Sequence, residues 1–255
     1  MRKMVRRLKR AVSALFPQRL RFAVSSFRYK WVVVALVALL TLNLIYQVVR
    51  KPAELFFPVS GVLAKTPSET WQAYRELFEE HSTAVITPHL LAALAQVEGS
   101  GDPLARTPWR LQLAADPREV YRPASSAVGM YQITEGTFRE ARRYCIRDHA
   151  AIEEGCWFNS LYMRVIPSHA VELTSAWLDR RVAGVLERTG VRANTAQKQD
   201  LAALIHLCGP TAGEAYARRG FRLAARQRCG THDAAAYLAR VNAMKRLFAR
   251  LSALR

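Results

Sequence analysis

A chain of 255 residues that is 51% apolar and 23% charged can bury a sizeable core without metal or disulfide support, and this composition excludes a disordered protein. The net charge of +18 is uneven, because residues 1–30 hold ten Lys or Arg and no Asp or Glu, leaving +8 on the other 225 residues. Basic charge packed at one end, directly before an apolar run, favours a membrane flank over nucleic-acid binding.

That run is Trp31–Val49, WVVVALVALLTLNLIYQVV, which is uncharged. At a rise of ~1.5 Å per residue it nearly spans a hydrocarbon core of ~30 Å. Trp31 and Tyr46 sit near its ends, where amphipathic rings prefer to lie. The basic flank orients the span with residues 1–30 in the cytoplasm and the bulk of the chain translocated. A cleavable signal peptide is the rival reading. It calls for a shorter apolar region and a small-x-small site, and YQVVRKPAELFF offers no such site. The organisation expected is a basic segment over 1–30, an anchor over 31–49, a linker over 50–67 rich in proline, and a folded domain over 68–255.

The domain reads as mainly helical. Ser68 is placed to cap a helix with Trp71, Tyr74, Leu77 and Phe78 on one face. Thr87-Pro88 opens the next helix, whose Leu90, Leu91, Leu94 and Val97 have amphipathic spacing, and EGSGDP ends it. Residues 99–126 are irregular, a length more typical of functional loops. Further helices are expected near 134–147, 169–189, 195–207, 211–228 and 232–252, with Gly190 closing one and Thr231 or His232 opening the last. Strand signals are few. The basic amphipathic C-terminal helix reads as a packed terminal helix rather than a membrane-binding one.

Four cysteines, Cys145, Cys156, Cys208 and Cys229, lie on the outer side of the span, where an even count suggests two disulfides. Proximity favours Cys145–Cys156 and Cys208–Cys229, although four cysteines allow three pairings. The alternative is a zinc set from His206, Cys208, Cys229 and His232. His81, His89, His149 and His169 lack ligand spacing.

Glu98 ends a helix whose preceding turns are apolar. Burial and the negative end of the helix dipole both favour the protonated acid, the form a general acid needs. Read on local features alone, Glu98 is a solvated glutamate at a helix end, and only the wider context favours the acid. Downstream comes SSAVGMYQIT, Ser125–Thr134, where small residues and a glycine precede an amide side chain.

A helix ending in glutamate, a long loop, Gly-x-x-Gln and a tyrosine in a late helix together resemble the lytic transglycosylase branch of the lysozyme-like superfamily. The resemblance covers roughly residues 70–245 and rests on order and spacing. Glu98 matches the catalytic glutamate, Gly129, Met130, Tyr131 and Gln132 match the Gly-x-x-Gln turn, and Tyr237 matches the late tyrosine. The sequence departs from the family in two places. Gly99 stands where serine usually follows the glutamate, and His206-Leu207 stands where the family has Tyr-Asn. The resemblance implies a lysozyme-like domain behind a bacterial inner-membrane anchor, with the catalytic domain periplasmic. Its implied partners are peptidoglycan glycan strands and not nucleic acid, and the membrane tether in turn suits local wall remodelling that admits a large envelope-spanning assembly. Substrate contacts would come from Ser126, Gly129, Met130, Tyr131, Gln132 and Tyr237. The glycine would admit a sugar ring close to the backbone, and the Gln132 amide would offer donors and an acceptor.

A glycosidase usually needs two carboxylates flanking the bond. Asp102, Asp116, Glu119 and Glu135 are the candidates for a second, and none is compelling. The family's reaction needs one, with no metal or cofactor: the glutamate protonates the glycosidic oxygen, then takes a proton from the muramoyl C6 hydroxyl as that hydroxyl closes a 1,6-anhydro ring. Rival readings are a lysozyme-type hydrolase using Glu98 with an aspartate such as Asp102, and a non-catalytic wall-binding scaffold.

Overall fold

The computed structural model describes residues 26–50, 61–107, 109–111 and 121–254. The chain divides at residue 50 into two units. The first unit contains one helix, α1 (Ser26–Arg50). Within it Lys30–Val49 has a mean hydropathy of 2.4 over 20 residues, long and apolar enough to cross a membrane. Its leucines and valines are mostly exposed. Residues 1–25, which carry eight of the ten Lys and Arg of the basic segment and with them the nucleic-acid alternative, lie outside the described residues. So do residues 51–60 of the linker and the candidate acids Asp116 and Glu119.

The second unit is mainly helical. Its helices are α2 (Pro67–Glu80), α3 (Pro88–Gly99), α4 (Glu135–Ala141), α5 (Pro167–Thr189), α6 (Thr195–Cys208), α7 (Pro210–Arg218) and α8 (Ala234–Ala253). Between them lie three antiparallel two-stranded ribbons: β1 (Trp109–Leu111) with β2 (Tyr121–Pro123), β3 (Cys145–Arg147) with β4 (Ala150–Ile152), and β5 (Arg228–Cys229) with β6 (His232–Asp233). Strands of two or three residues are too short to show alternation, so the sequence does not announce them.

The core is organised around α3. Leu90, Leu91, Ala92, Ala93, Leu94 and Ala95 are all buried, so the helix is enclosed on every side rather than amphipathic. Its leucine spacing marked one face, and the alanines let neighbouring helices close on the others. The longest of these packings is with α8, followed by α2. A buried central helix carries whatever stands on its last turn into the interior, and that residue is Glu98.

Several element ends differ from the sequence reading for local reasons. Thr66, not Ser68, caps α2, because Thr66 and Glu69 form a reciprocal capping box across Pro67. Helix α4 stops at Ala141 and the chain turns into the β3–β4 ribbon, tied by Cys145–Cys156. Helix α7 stops at Arg218, where Gly220 and Phe221 both take positive φ. Asp233, not Thr231 or His232, caps α8 by accepting the Ala236 N–H at 2.8 Å. Gly190 closes α5 in the left-handed conformation, as expected.

Candidate active site: one carboxylate in a cleft

Glu98 stands on the last turn of α3. Beyond it Ser100 and Gly101 adopt left-handed conformations, and their N–H groups close on the carbonyls of Gln96 and Ala95 at 3.1 and 3.0 Å. The carboxyl group opens into a cleft of about 430 Å³ whose walls include Gln132, His206, Leu207, His232, Tyr237 and Arg240. Glu98 is the one carboxylate among the described lining residues.

Each partner comes from a different element. Helix α8, packed along α3, brings up Tyr237, whose hydroxyl donates to Glu98 Oε1. Burial, then the neighbouring carboxylate charge and this hydrogen bond, push the Tyr237 hydroxyl well above its ordinary range, so it remains a donor. The last turn of α6 supplies His206, with Nε2 3.8 Å from the same oxygen and only 9% of its side chain exposed. No hydrogen bond reaches Oε2 from a described residue, so one carboxyl oxygen is braced and the other is left for chemistry.

A further part of the wall comes from the turn Ala127–Ile133, closed by paired backbone hydrogen bonds between Val128 and Ile133 at 3.0 and 3.2 Å. Gln132 takes φ 48°, uncommon for a residue with a side chain. Its Nε2 donates to Ala105 O at 3.1 Å and to Gly129 O at 2.9 Å. Both amide donors are therefore committed to the backbone, which leaves Oε1 as the acceptor for the cleft. This corrects the expectation that the amide presents donors to a sugar.

Four other expected contacts are also corrected. Gly129 is buried, and a Cβ there would collide with the Arg164 carbonyl, so its close neighbour is protein backbone rather than a sugar ring. Met130 and Tyr131 have no exposed surface and belong to the core. Ser126 uses Oγ to accept the Glu135 N–H at 3.1 Å and its carbonyl to accept from Arg164 Nη1 at 2.8 Å, bracing the turn from behind. Its neighbour Ser125 is the serine that lines the cleft. Of the residues expected at the site, Glu98, Gln132 and Tyr237 come together, while Ser126, Gly129, Met130 and Tyr131 shape the wall from inside.

Gly99 also has a structural reason. A Cβ there would stand 2.8 Å from Met130 Cα and from Met130 O. The turn is drawn onto the end of α3 more closely than a serine allows.

The candidate second acids that are described face elsewhere. Asp102 is buried and its carboxylate holds the N–H groups of Gly61 and Leu104, each at 2.7 Å. Glu135 pairs with Arg164 at 2.9 Å. Asp102 is therefore not among the residues that line the cleft, and Asp116 lies outside the described residues. The zinc set is overturned, because Cys208 and Cys229 are bonded to each other, with Cα atoms 5.3 Å apart. That disulfide follows Leu207 on one side and holds the β5–β6 ribbon on the other, placing His232 on the cleft wall.

Sequence reasoning met His206 and His232 as members of a zinc set, and His206-Leu207 as a departure from the family pattern, but placed neither histidine beside Glu98, and it did not single out Arg240. Arg240 was legible as the residue one turn after Tyr237 on α8. His232 was not, since its position depends on the Cys208–Cys229 pairing. Comparison with protein-family models, with curated proteins and with solved structures finds no match.

Proposed function

We propose that the chain is a membrane-anchored lytic transglycosylase acting on peptidoglycan, with a lysozyme-like periplasmic domain and Glu98 as its single acid–base group. The observation that carries the reading is Glu98, the one carboxylate among the described residues that line the cleft, held through one oxygen by Tyr237 and sharing the cleft with Gln132. One carboxylate is what an internal displacement requires, whereas hydrolysis by paired acids requires two. The anchor is α1, whose length and hydropathy suit a single crossing.

In this mechanism a glycan strand lies in the cleft with its N-acetylmuramic acid to N-acetylglucosamine bond beside Glu98 Oε2. The proton on Oε2 passes to the bridging oxygen as the C1–O bond breaks, releasing the N-acetylglucosamine alcohol. Positive charge develops at the anomeric carbon. The muramoyl C6 hydroxyl attacks that carbon and gives its proton to Oε2, which restores the acid and leaves a 1,6-anhydro end. Tyr237 holds Oε1 and fixes the carboxyl plane, so the proton leaves from and returns to the same atom. Gln132 Oε1 accepts from a sugar hydroxyl or N-acetyl N–H in the same cleft.

A second reading has its own observation. His206 lies 3.8 Å from Glu98 Oε1 and lines the cleft. A neutral imidazole there could take a proton from water and turn the reaction into hydrolysis.

The test is product analysis of purified peptidoglycan treated with the full-length protein in detergent, beside Glu98→Gln. The expected products are anhydro-muropeptides, one water lighter than hydrolysed ones and absent with E98Q. Reducing ends would support the His206 reading, and glycan left intact by the wild-type protein would overturn both.

A further inference from the structure

A second surface of the domain has no part in this chemistry. After the Cys145–Cys156 disulfide the chain makes one 3-10 turn, Trp157–Leu161, and runs on to Ile166. Trp157 is 75% exposed, Phe158 70% and Leu161 75%, with Met163 and Ile166 also at the surface. A cluster of this size is unusual on a soluble face and marks a contact surface. It is not a loose loop. Asn159 is buried between these residues and donates to Tyr144 O at 2.6 Å, and Glu172 accepts from Ile146 N at 3.0 Å and from the Tyr162 hydroxyl at 2.6 Å. The backbone is clamped from within while its large side chains point out.

Two further observations say what covers it. First, an open hollow of about 530 Å³ adjoins the cluster, lined by Arg142, Arg143 and Trp157. Arg143 is paired with Glu153 at 2.5 Å, whereas Arg142 lies over the Phe138 ring, 4.9 Å from its centroid, makes one long bond to Ser160 O at 3.4 Å and has no carboxylate partner among the described residues. A cation beside exposed Trp, Phe and Leu is the composition of a surface that sits among phospholipid headgroups. Second, the cluster lies near the point where the chain enters the domain. Gly61 N–H bonds Asp102, the adjoining Pro103 carbonyl reaches the Gly129 position, and the Arg164 carbonyl abuts that same position. Arg164 follows Met163 in the chain, with its own side chain turned inward onto the Ser126 and Ile133 carbonyls and Glu135. Only residues 51–60 join this entry point to α1, a reach of at most ~35 Å when extended.

We propose that Trp157–Ile166 is a membrane-docking face that seats the domain on an anionic bilayer, with Arg142 on a lipid phosphate. This rests on the reading of α1 as the anchor. Docking would hold the domain in one orientation on its tether, and so fix which way the cleft faces.

The test uses the full-length chain in vesicles of phosphatidylethanolamine and phosphatidylglycerol containing a lipid with a photoactivatable carbene precursor in its upper acyl chain. After irradiation, labelled peptides are mapped by mass spectrometry. Label is expected on α1 and on the 157–166 peptide. In the triple variant Trp157→Ser, Phe158→Ser, Leu161→Ser, which changes only exposed side chains, label is expected to vanish from 157–166 and to remain on α1. Label on α1 with none on wild-type 157–166 would overturn the docking face, leaving a protein partner as the occupant to seek. Absence of label from both would overturn the anchor, and the docking face with it.

Discussion

Tyr237 donates its hydroxyl to Glu98 Oε1 across 139 residues of sequence. The contact joins the C-terminal end of the most enclosed helix to the first turns of the last one. It also divides the two carboxyl oxygens into one that is held and one that is free. A hydrogen bond to a carboxylate contributes about 1.5–3 kcal/mol. If that contribution is felt in the transition state, Tyr237→Phe lowers kcat roughly 10–100-fold. KM should change little, because the tyrosine is buried behind the acid. Steady-state kinetics on peptidoglycan fragments check this, and unchanged kcat would remove Tyr237 from the site.

The Gly-x-x-Gln turn separates a lining role from a structural one. Tyr131 is wholly buried and its hydroxyl has no partner among the described residues. An unsatisfied buried hydroxyl costs about 1–3 kcal/mol. Tyr131→Phe should therefore hold or raise Tm and leave glycan cleavage unchanged. Gln132→Glu should do the reverse, since it replaces two donors with acceptors facing the Ala105 and Gly129 carbonyls. Thermal melts and turnover of the pair of variants decide whether the turn is placed as described.

At Gly99 the prediction is steric. A side chain there meets Met130 backbone atoms, which cannot rotate away. Gly99→Ser should cost about 1–3 kcal/mol, a fall in Tm of roughly 2–12 °C. The same substitution should displace the turn that carries Gln132 and weaken glycan binding. A stable, fully active G99S would show that the turn yields more easily than the packing suggests.

Alkaline pH provides a test of both buried tyrosines. Burial pushes the Tyr131 and Tyr237 hydroxyls well above the ordinary ~10, with the Glu98 charge adding to the effect at Tyr237. The folded state holds these protons more tightly than the unfolded chain does. Below pH ~10 both hydroxyls are protonated in the folded and unfolded chains alike, and as pH rises beyond it the unfolded chain gives up these protons first, so folded stability is lost. Tm should fall above pH ~10, and less steeply in Tyr131→Phe. An identical slope in wild type and variant would contradict the burial of Tyr131.

What was legible in the sequence follows from the range of the forces involved. Helix positions were readable because apolar spacing and caps are local. The long helices α3, α5, α6 and α8 lie near their expected places. The fate of Gly129 was not readable: the sequence shows a glycine, and only the packing shows that Arg164 backbone rather than ligand fills the space beside it. The same holds for Gln132, whose two donors are used by carbonyls up to 27 residues away. Glu98 and Tyr237 were recognised by order along the chain, and His232 reached the cleft by way of a disulfide whose pairing four cysteines leave open. The exposed Trp157–Ile166 cluster has no periodic signature, because its side chains point outward from a 3-10 turn.

The central claim is that the muramoyl C6 hydroxyl, not water, ends the reaction at Glu98. The direct measurement is digestion of purified peptidoglycan by the full-length protein in heavy-oxygen water, followed by mass spectrometry of the glycan ends. The account predicts anhydro ends free of the heavy oxygen in the wild-type digest and no new ends with E98Q. Heavy oxygen at the anomeric carbon of the released muramic acid would contradict it, because water would then be the attacking group.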